Sequence, residues 1–416
     1  EAVAERMEQV QRNFNGDWGN ENPWHDRSEE GQDRFVENLA KKTEAYKRLS
    51  ARFPNDPDSV MRYLNMPHRV KVFDYELGTK DMYLSTMDSI RYMTRFMHCA
   101  FLAMEPATGD IKAWVGDIDF DHWEYDKATA ERQPGSTFKM FVYAAAMEAG
   151  LGPCDDRVDE YRQYDAFDAG HNPIKWAPRN STGVYTGAPM SLKHAFSNSV
   201  NSVAVAVAEE VGMQRVIDVA KRLGIRSPLQ NTPALALGSS DVTLLDMVNS
   251  YCTIMNGGRR NMPSFVTRIE DKDGNVVYRH EPENKRAVSR ETAFLMQQML
   301  LAGMTEPGGT SMALWGYDIH RYDTNFGGKT GTTTDNSDGW YVGVTKNLVA
   351  GCWVGGEYRN VHFRSGRMGQ GSHTALPVFG CFMEKVLADP SLSRYRGRIP
   401  DKPSFEVDRP YDCHTV

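Results

Sequence analysis

The hydrophobic pattern changes character about a quarter of the way along the chain. In residues 1–95 apolar side chains recur at helical intervals among many charges, over 2–14 and again over 30–53, where Phe35, Leu39, Tyr46 and Leu49 mark the spacing. The stretch 15–25 between them is rich in Gly, Asn and Trp and is expected to be a loop. Asp58 and Ser59 are placed to cap a short helix running to Asn65, which Pro67 stops. From Cys99 onward the pattern is strand-like. Residues 100–104 and 111–115 flank Glu105-Pro106-Ala107-Thr108-Gly109-Asp110, a β-hairpin signature. A second hairpin is expected late, over 340–345 and 348–354, turning at Lys346-Asn347.

Between these hairpins the periodicity predicts helices over 136–148, 191–210 with a break near Ser199, 213–223 and 239–255. Asn256-Gly257-Gly258 ends the last of these. A short hairpin is expected around Asp273-Gly274, and a long helix over 374–387 that Asp389-Pro390 closes. Sheet segments at both ends with a helical block inserted between them define an α+β fold: an antiparallel sheet flanked by helices, beside an all-helical lobe. The expected organisation is a helical linker or appendage at 1–95, the main domain at 96–395 and an extended polar tail at 396–416. A site is expected in the cleft between lobes.

Composition changes this picture little. At 416 residues the chain exceeds the usual size of one domain, in keeping with a large body plus an appendage. A net charge of −7 speaks against a nucleic-acid surface. No run approaches the roughly 18 apolar residues of a membrane span. The first residue is Glu1 with a helical pattern already under way, which reads as a fragment with something removed upstream. Six cysteines lie far apart without a C-x-x-C pair; each reads first as a small buried apolar residue, and a disulfide stays open.

Three strings carry the chemistry. Ser136-Thr137-Phe138-Lys139 places a hydroxyl and an amine three residues apart, on one helix face. A serine needs a nearby base to act as a nucleophile, and a lysine with a lowered pKa supplies one. Pro134-Gly135 suits a sharp helix entry, whose free N–H groups favour a developing oxyanion. Taken alone the string is weak, since about one S-x-x-K match is expected by chance in a chain this long, and a capping serine with a solvated lysine is the bland reading. Ser199-Val200-Asn201 sits where two helical runs meet, and offers a hydroxyl for proton transfer and an amide for a peptide group. Lys329-Thr330-Gly331-Thr332 follows Gly327-Gly328 and precedes a hairpin: a strand edge with hydroxyls, a fixed charge and free backbone for an added peptide strand. Eleven histidines include no His-Glu-x-x-His pair, so a zinc enzyme is not expected; no metal site and no cofactor are assigned. His194 reads as a helix-surface residue, and Trp340 and Tyr341 as strand core.

In this order the three strings match the S-x-x-K, S-D-N and K-T-G set of serine β-lactamases and penicillin-binding proteins. With Arg132-Gln133-Pro134-Gly135, Leu237-Gly238-Ser239, Gly309-Thr310 and the run 327–343, residues 95–390 resemble the transpeptidase domain of a class A (bifunctional) penicillin-binding protein. The resemblance implies a serine D,D-transpeptidase, acylated by the D-alanyl-D-alanine end of a peptidoglycan stem peptide and by β-lactams. It implies Ser136 as nucleophile, Lys139 as its base and Ser199 as proton relay. Asn201 would bind the peptide, and Lys329, Thr330, Gly331 and Thr332 the terminal carboxylate, with the N–H groups of Ser136 and Thr332 as oxyanion hole. Implied partners are stem peptides, lipid-linked precursor polymer, β-lactams and cell-wall synthesis proteins. The implied location is the outer face of the bacterial inner membrane, with the anchor outside this chain.

Departures refine the resemblance. Val200 replaces the aspartate of S-D-N, and no Glu-x-x-x-Asn segment follows Ser199, which favours penicillin-binding proteins over class A β-lactamases. Met140 stands where many class A relatives have proline. The Glu-Asp-x-x-Phe-x-x-His motif of a glycosyltransferase is missing, so these residues are not expected to polymerise glycan. A hydrolase on the same chemistry (D,D-carboxypeptidase or β-lactamase) and a non-enzymatic penicillin-recognition scaffold remain the alternatives.

Overall fold

The structure is a computed structural model that describes residues 1–24 and 29–413. Its centre is a five-stranded antiparallel sheet of β1 (Met97–Met104), β2 (Ile111–Val115), β3 (Gly327–Thr332), β4 (Asp338–Val344) and β5 (Val349–Gly356), in the order β3-β4-β5-β1-β2. The two expected hairpins are present and zip together, with Val349 opposite Met104 and Trp353 opposite Ala100. Side chains alternate across a strand, so Ala100, Leu102 and Met104 enter one core while Cys99, Phe101 and Ala103 enter another. Because both faces are covered, β1 is buried along its whole length and, His98 apart, apolar instead of alternating with polar residues.

The first core joins the sheet to the helical lobe. Helix Leu244–Met255 packs on that face, and behind it lie Lys139–Glu148, Asn201–Val211, Met213–Leu223 and Arg290–Thr305. The second core is closed by helices Ala2–Trp18 and Ala375–Ala388. Val3, Met7, Val10 and Phe14 form the buried stripe of the N-terminal helix, and Trp18 continues it, its indole donating to His362 O at 2.7 Å. The helix therefore runs past Asn15, where a loop was expected, and ends at Gly19 with φ 57°. His25, the end of that expected loop, lies outside the described residues.

Other boundaries also shift for local reasons. The expected run 30–53 is two helices, Glu29–Ala40 and Glu44–Arg52, because the Thr43 side chain caps the second by accepting from Tyr46 N. Helix Pro57–Leu64 is capped by Asp56, and a hairpin of His68–Asp74 with Gly78–Leu84 follows, an element the charged sequence there does not announce. The expected helix over 239–255 starts at Leu244, since Val242–Thr243 pairs with Glu131–Arg132 and Thr243 caps the helix. Helix Arg290–Thr305, absent from the sequence reading, is buried on most sides and shows no amphipathic stripe.

Beyond Tyr395 the described tail has no helix or strand, yet it is anchored. Cys413 forms a disulfide with Cys154, 259 residues away. Arg409 Nη1 donates to Met147 O at 2.5 Å and Leu151 O at 2.7 Å, and Lys193 Nζ donates to Tyr411 O at 3.0 Å. The other four cysteines are buried and free. Replacing Cys154 and Cys413 by serine is expected to lower the thermal midpoint, reflecting a loss of about 2–5 kcal/mol. An unchanged midpoint in calorimetry would show that the tail clamp carries no stability.

Candidate active site

Three backbones meet where the first string turns into its helix. Gly135 has φ +54°, and a Cβ there would lie 2.7 Å from the Thr332 carbonyl. Gly331 faces Pro134 O and Gly238 faces Gly135 O at separations that no side chain would allow. The close approach tightens the entry: Gly135–Phe138 is a 3-10 turn, and the α-helix begins only at Lys139, where one continuous helix was expected. Thr137 Oγ1 donates to Pro134 O at 2.7 Å, and Tyr251 OH donates to Thr137 O at 2.8 Å. Ser136 is thereby held at the surface of a cleft while Lys139 points into the core.

The Lys139 amine is fully buried and reaches the second string. Its Nζ lies 3.0 Å from Ser199 Oγ, 2.7 Å from Ser199 O and 2.6 Å from Asn201 Oδ1. Lys329, also buried, donates from the other side to Ser199 Oγ at 2.9 Å and to Thr330 O at 3.1 Å. Two amines thus share one hydroxyl. Burial, helped by the neighbouring Lys329 charge, pushes Lys139 well below the ordinary lysine range. Burial brings Lys329 down to about 7. Three acceptors around Lys139 suit an ammonium, whereas desolvation and the Lys329 charge favour the free amine. On balance the free amine of Lys139 forms at lower pH than that of a solvated lysine.

Ser199 itself has φ 58°, a left-handed conformation that costs a non-glycine residue about 1–2 kcal/mol. It lies between helices Leu192–Ser197 and Asn201–Val211, fixed by Ser199 N to Phe196 O at 3.0 Å and Val200 N to Ala195 O at 2.9 Å. This is the break expected near Ser199, and it aims the hydroxyl at both lysines.

The wall carrying Asn201 depends on residues the sequence reading missed. Asn180 Oδ1 accepts from Asn201 N at 3.0 Å and Ser202 N at 3.1 Å, and its Nδ2 donates to Asp159 Oδ1 at 2.7 Å. Burial alone would raise the Asp159 carboxyl, but hydrogen bonds from Ser202, Thr186 and Asn180 hold it below its ordinary value. Nothing in the spacing of Asp159, Asn180 and Asn201 signals this contact.

The opposite wall is β3, the edge strand, with Lys329, Thr330, Gly331 and Thr332 in sequence along it. Arg132 Nε donates to buried Asp338 Oδ1 at 2.7 Å, Trp353 Nε1 to the same oxygen at 2.9 Å, and the Arg132 guanidinium lies 4.7 Å from the Trp353 ring centroid. That ion pair ties the segment before Ser136 to the strand after Thr332. Ser136, Ser199, Asn201, Thr330, Gly331 and Thr332 all line one cleft of about 780 Å³, with the two lysines behind them. Trp340 and Tyr341 are core. His194 lies outside the cleft lining, its Nδ1 3.3 Å from Glu306 Oε2. Away from the cleft His98, Asp117 and Glu357 gather, and Lys127 Nζ already supplies a cation to Glu357 at 2.8 Å.

Comparison with known proteins agrees with this geometry. Residues 99–355 match the model of the penicillin binding protein transpeptidase domain, and residues 19–97 that of the penicillin-binding protein middle domain. Penicillin-binding protein 1A of Rickettsia bellii is 32% identical over 337 residues, covering 74% of this chain and 40% of that protein. Penicillin-binding protein 2D of Bacillus subtilis is 32% identical over 61% of this chain and 36% of its own length. The chain thus spans well under half the length of these curated relatives. The crystal structure of penicillin-binding protein 1A from Haemophilus influenzae superposes with a TM-score of 0.65 at 26% identity, over 80% of this chain and 52% of that one. PonA1 from Mycobacterium tuberculosis in complex with penicillin V shares the fold, with a TM-score of 0.57 at 20% identity over 86% of this chain and 93% of its own. With a cleft built from all three strings and a family match over most of its length, this chain belongs to the penicillin-binding protein transpeptidase family.

Proposed function

We propose that the chain is the serine D,D-transpeptidase unit of a peptidoglycan synthase, with Ser136 as its nucleophile. The observation that carries this reading is the meeting of Lys139 and Lys329 at Ser199 Oγ, 3.0 and 2.9 Å away, behind the Ser136 turn. In the proposed reaction Ser136 Oγ attacks the carbonyl of the D-alanyl-D-alanine bond, and its proton passes to the free amine of Lys139. The N–H groups of Ser136 and Thr332 receive the oxyanion. Ser199 then relays the proton to the departing D-alanine amine, leaving an acyl ester on Ser136. A second stem peptide's amine takes the acyl group, and its proton returns along the same path to Ser136 Oγ.

The remaining residues position the substrate. Asn201 uses one Nδ2 hydrogen on Arg179 O at 2.7 Å, which leaves the other for a peptide carbonyl. Thr330 and Thr332 present hydroxyls to the terminal carboxylate, while buried Lys329 adds its charge from behind. The free edge of β3 accepts the peptide as an added strand. β-Lactams, the stem peptides of lipid-linked polymer and cell-wall synthesis proteins are the proposed partners. The proposed place is the outer face of the inner membrane. Among the described residues no helix is long and apolar enough to cross a membrane. The Cys154–Cys413 disulfide suits an oxidising compartment.

Labelling with a fluorescent penicillin and mapping the peptide by mass spectrometry is expected to give a slowly hydrolysed adduct on Ser136, lost in Ser136→Ala. Absence of label on the wild type would overturn the enzyme reading, and rapid turnover would reassign the chain to the hydrolases. The acylation rate is expected to climb with pH, because only deprotonated Lys139 accepts the Ser136 proton, and burial lowers the pH at which it forms. Lys139→Ala should slow acylation by about 10²–10⁴-fold. A rate that is flat with pH, or indifferent to Lys139→Ala, would remove Lys139 as the base.

A further inference from the structure

The cleft has an uneven charge. Its lining is neutral hydroxyls, amides and apolar groups with a single exception, Arg179, the only charged side chain among the lining residues. Arg179 is exposed, and its guanidinium makes no ion pair or hydrogen bond among the described residues. A nearby cation, Lys175, is by contrast paired with Asp165 at 2.5 Å. The backbone that carries Arg179 is rigidly mounted. Its carbonyl accepts from Asn201 Nδ2 at 2.7 Å, Pro178 O accepts from Tyr185 OH at 2.7 Å, and Asn180 is bound to Asp159. An unpaired guanidinium is thus carried by a held backbone on the Asn201 wall, across the cleft from the hydroxyls proposed for the terminal carboxylate.

We infer that Arg179 selects a peptide with a second carboxylate, on the side chain of the residue that precedes the acylating D-alanine. The inference rests on the serine-acylation reading above. In this reading the carbonyl held by Asn201 is the one just before the acylating D-alanine; Asn201 is bonded to the Arg179 backbone carbonyl, so the Arg179 side chain leaves the wall next to that flanking residue. A guanidinium matches a carboxylate with two parallel N–H···O bonds, and bonds to charged groups are about twice as strong as neutral ones. No acidic side chain lines the cleft to compete for it. An uncharged or amidated side chain at the same position forgoes the charge-assisted pair.

The test uses the purified chain and two peptide substrates that differ at that one side chain, carboxylate against amide. Their scissile bond is made a thioester so that thiol release reports acylation. In the wild type kcat/KM is expected to favour the carboxylate by about tenfold or more. In Arg179→Gln the preference should fall to about one, and Arg179→Lys should restore part of it, with thermal midpoints confirming folded variants. A wild-type ratio near one, or a ratio that Arg179→Gln leaves unchanged, overturns the assignment while leaving Ser136 acylation standing. No thiol release with either peptide, together with no penicillin label on Ser136, would instead bring down the acylation reading and this assignment with it.

Discussion

Two buried amines converging on one serine hydroxyl are the constraint around which this protein is built. Lys139 and Lys329 both sit in surroundings that disfavour their charge, and the Lys329 charge further disfavours that of Lys139. Such an arrangement is unstable unless acceptors are supplied locally. Ser199 supplies its hydroxyl and carbonyl only because its backbone is left-handed, and Asn201 supplies the remaining acceptor. The strain at Ser199 and the desolvation of two lysines are costs the hydrophobic cores must offset. The return is an amine with a lowered proton affinity, behind the turn that carries the proposed nucleophile.

The sheet makes that convergence possible. The β4–β5 hairpin arrives more than two hundred residues after the β1–β2 hairpin, and the β5–β1 ladder joins them. Closing the ladder brings β3 alongside the Ser136 turn, where Gly135, Gly238 and Gly331 let backbones touch. The Arg132–Asp338 pair then fixes the turn to the strand. On the far wall, Asp159 and Asn180 hold Asn201 in place, so each of the three strings has its own support.

Much of this was legible in the sequence because the strings carry local chemistry that depends little on long-range contacts. The β1–β2 and β4–β5 hairpins were legible for the same reason: their turns and apolar runs are local. Ser199 was readable as a helix break, although its left-handed backbone was not. Asp159 and Asn180 were invisible, since their pairing exists only once the chain between Cys154 and Ser191 folds back on itself. Helix Arg290–Thr305 was missed because burial on most sides erases the stripe that periodicity detects. The Cys154–Cys413 bond joins positions with no shared pattern, and pairing among six cysteines is open from sequence alone. The contact of Arg179 with Asn201 belongs to the same class, a tertiary juxtaposition without a motif.

Lys139 and Lys329 are desolvated amines at one hydroxyl, with the Lys329 charge depressing Lys139 further. Direct titration by NMR of protein labelled with [ε-¹³C]lysine tests this, with each signal assigned by single substitution. Lys139 should titrate well below the ordinary lysine value of 10.5, and its midpoint should rise when Lys329→Met removes the neighbouring charge. Both amines titrating near 10.5, or a Lys139 midpoint indifferent to Lys329→Met, would contradict the account.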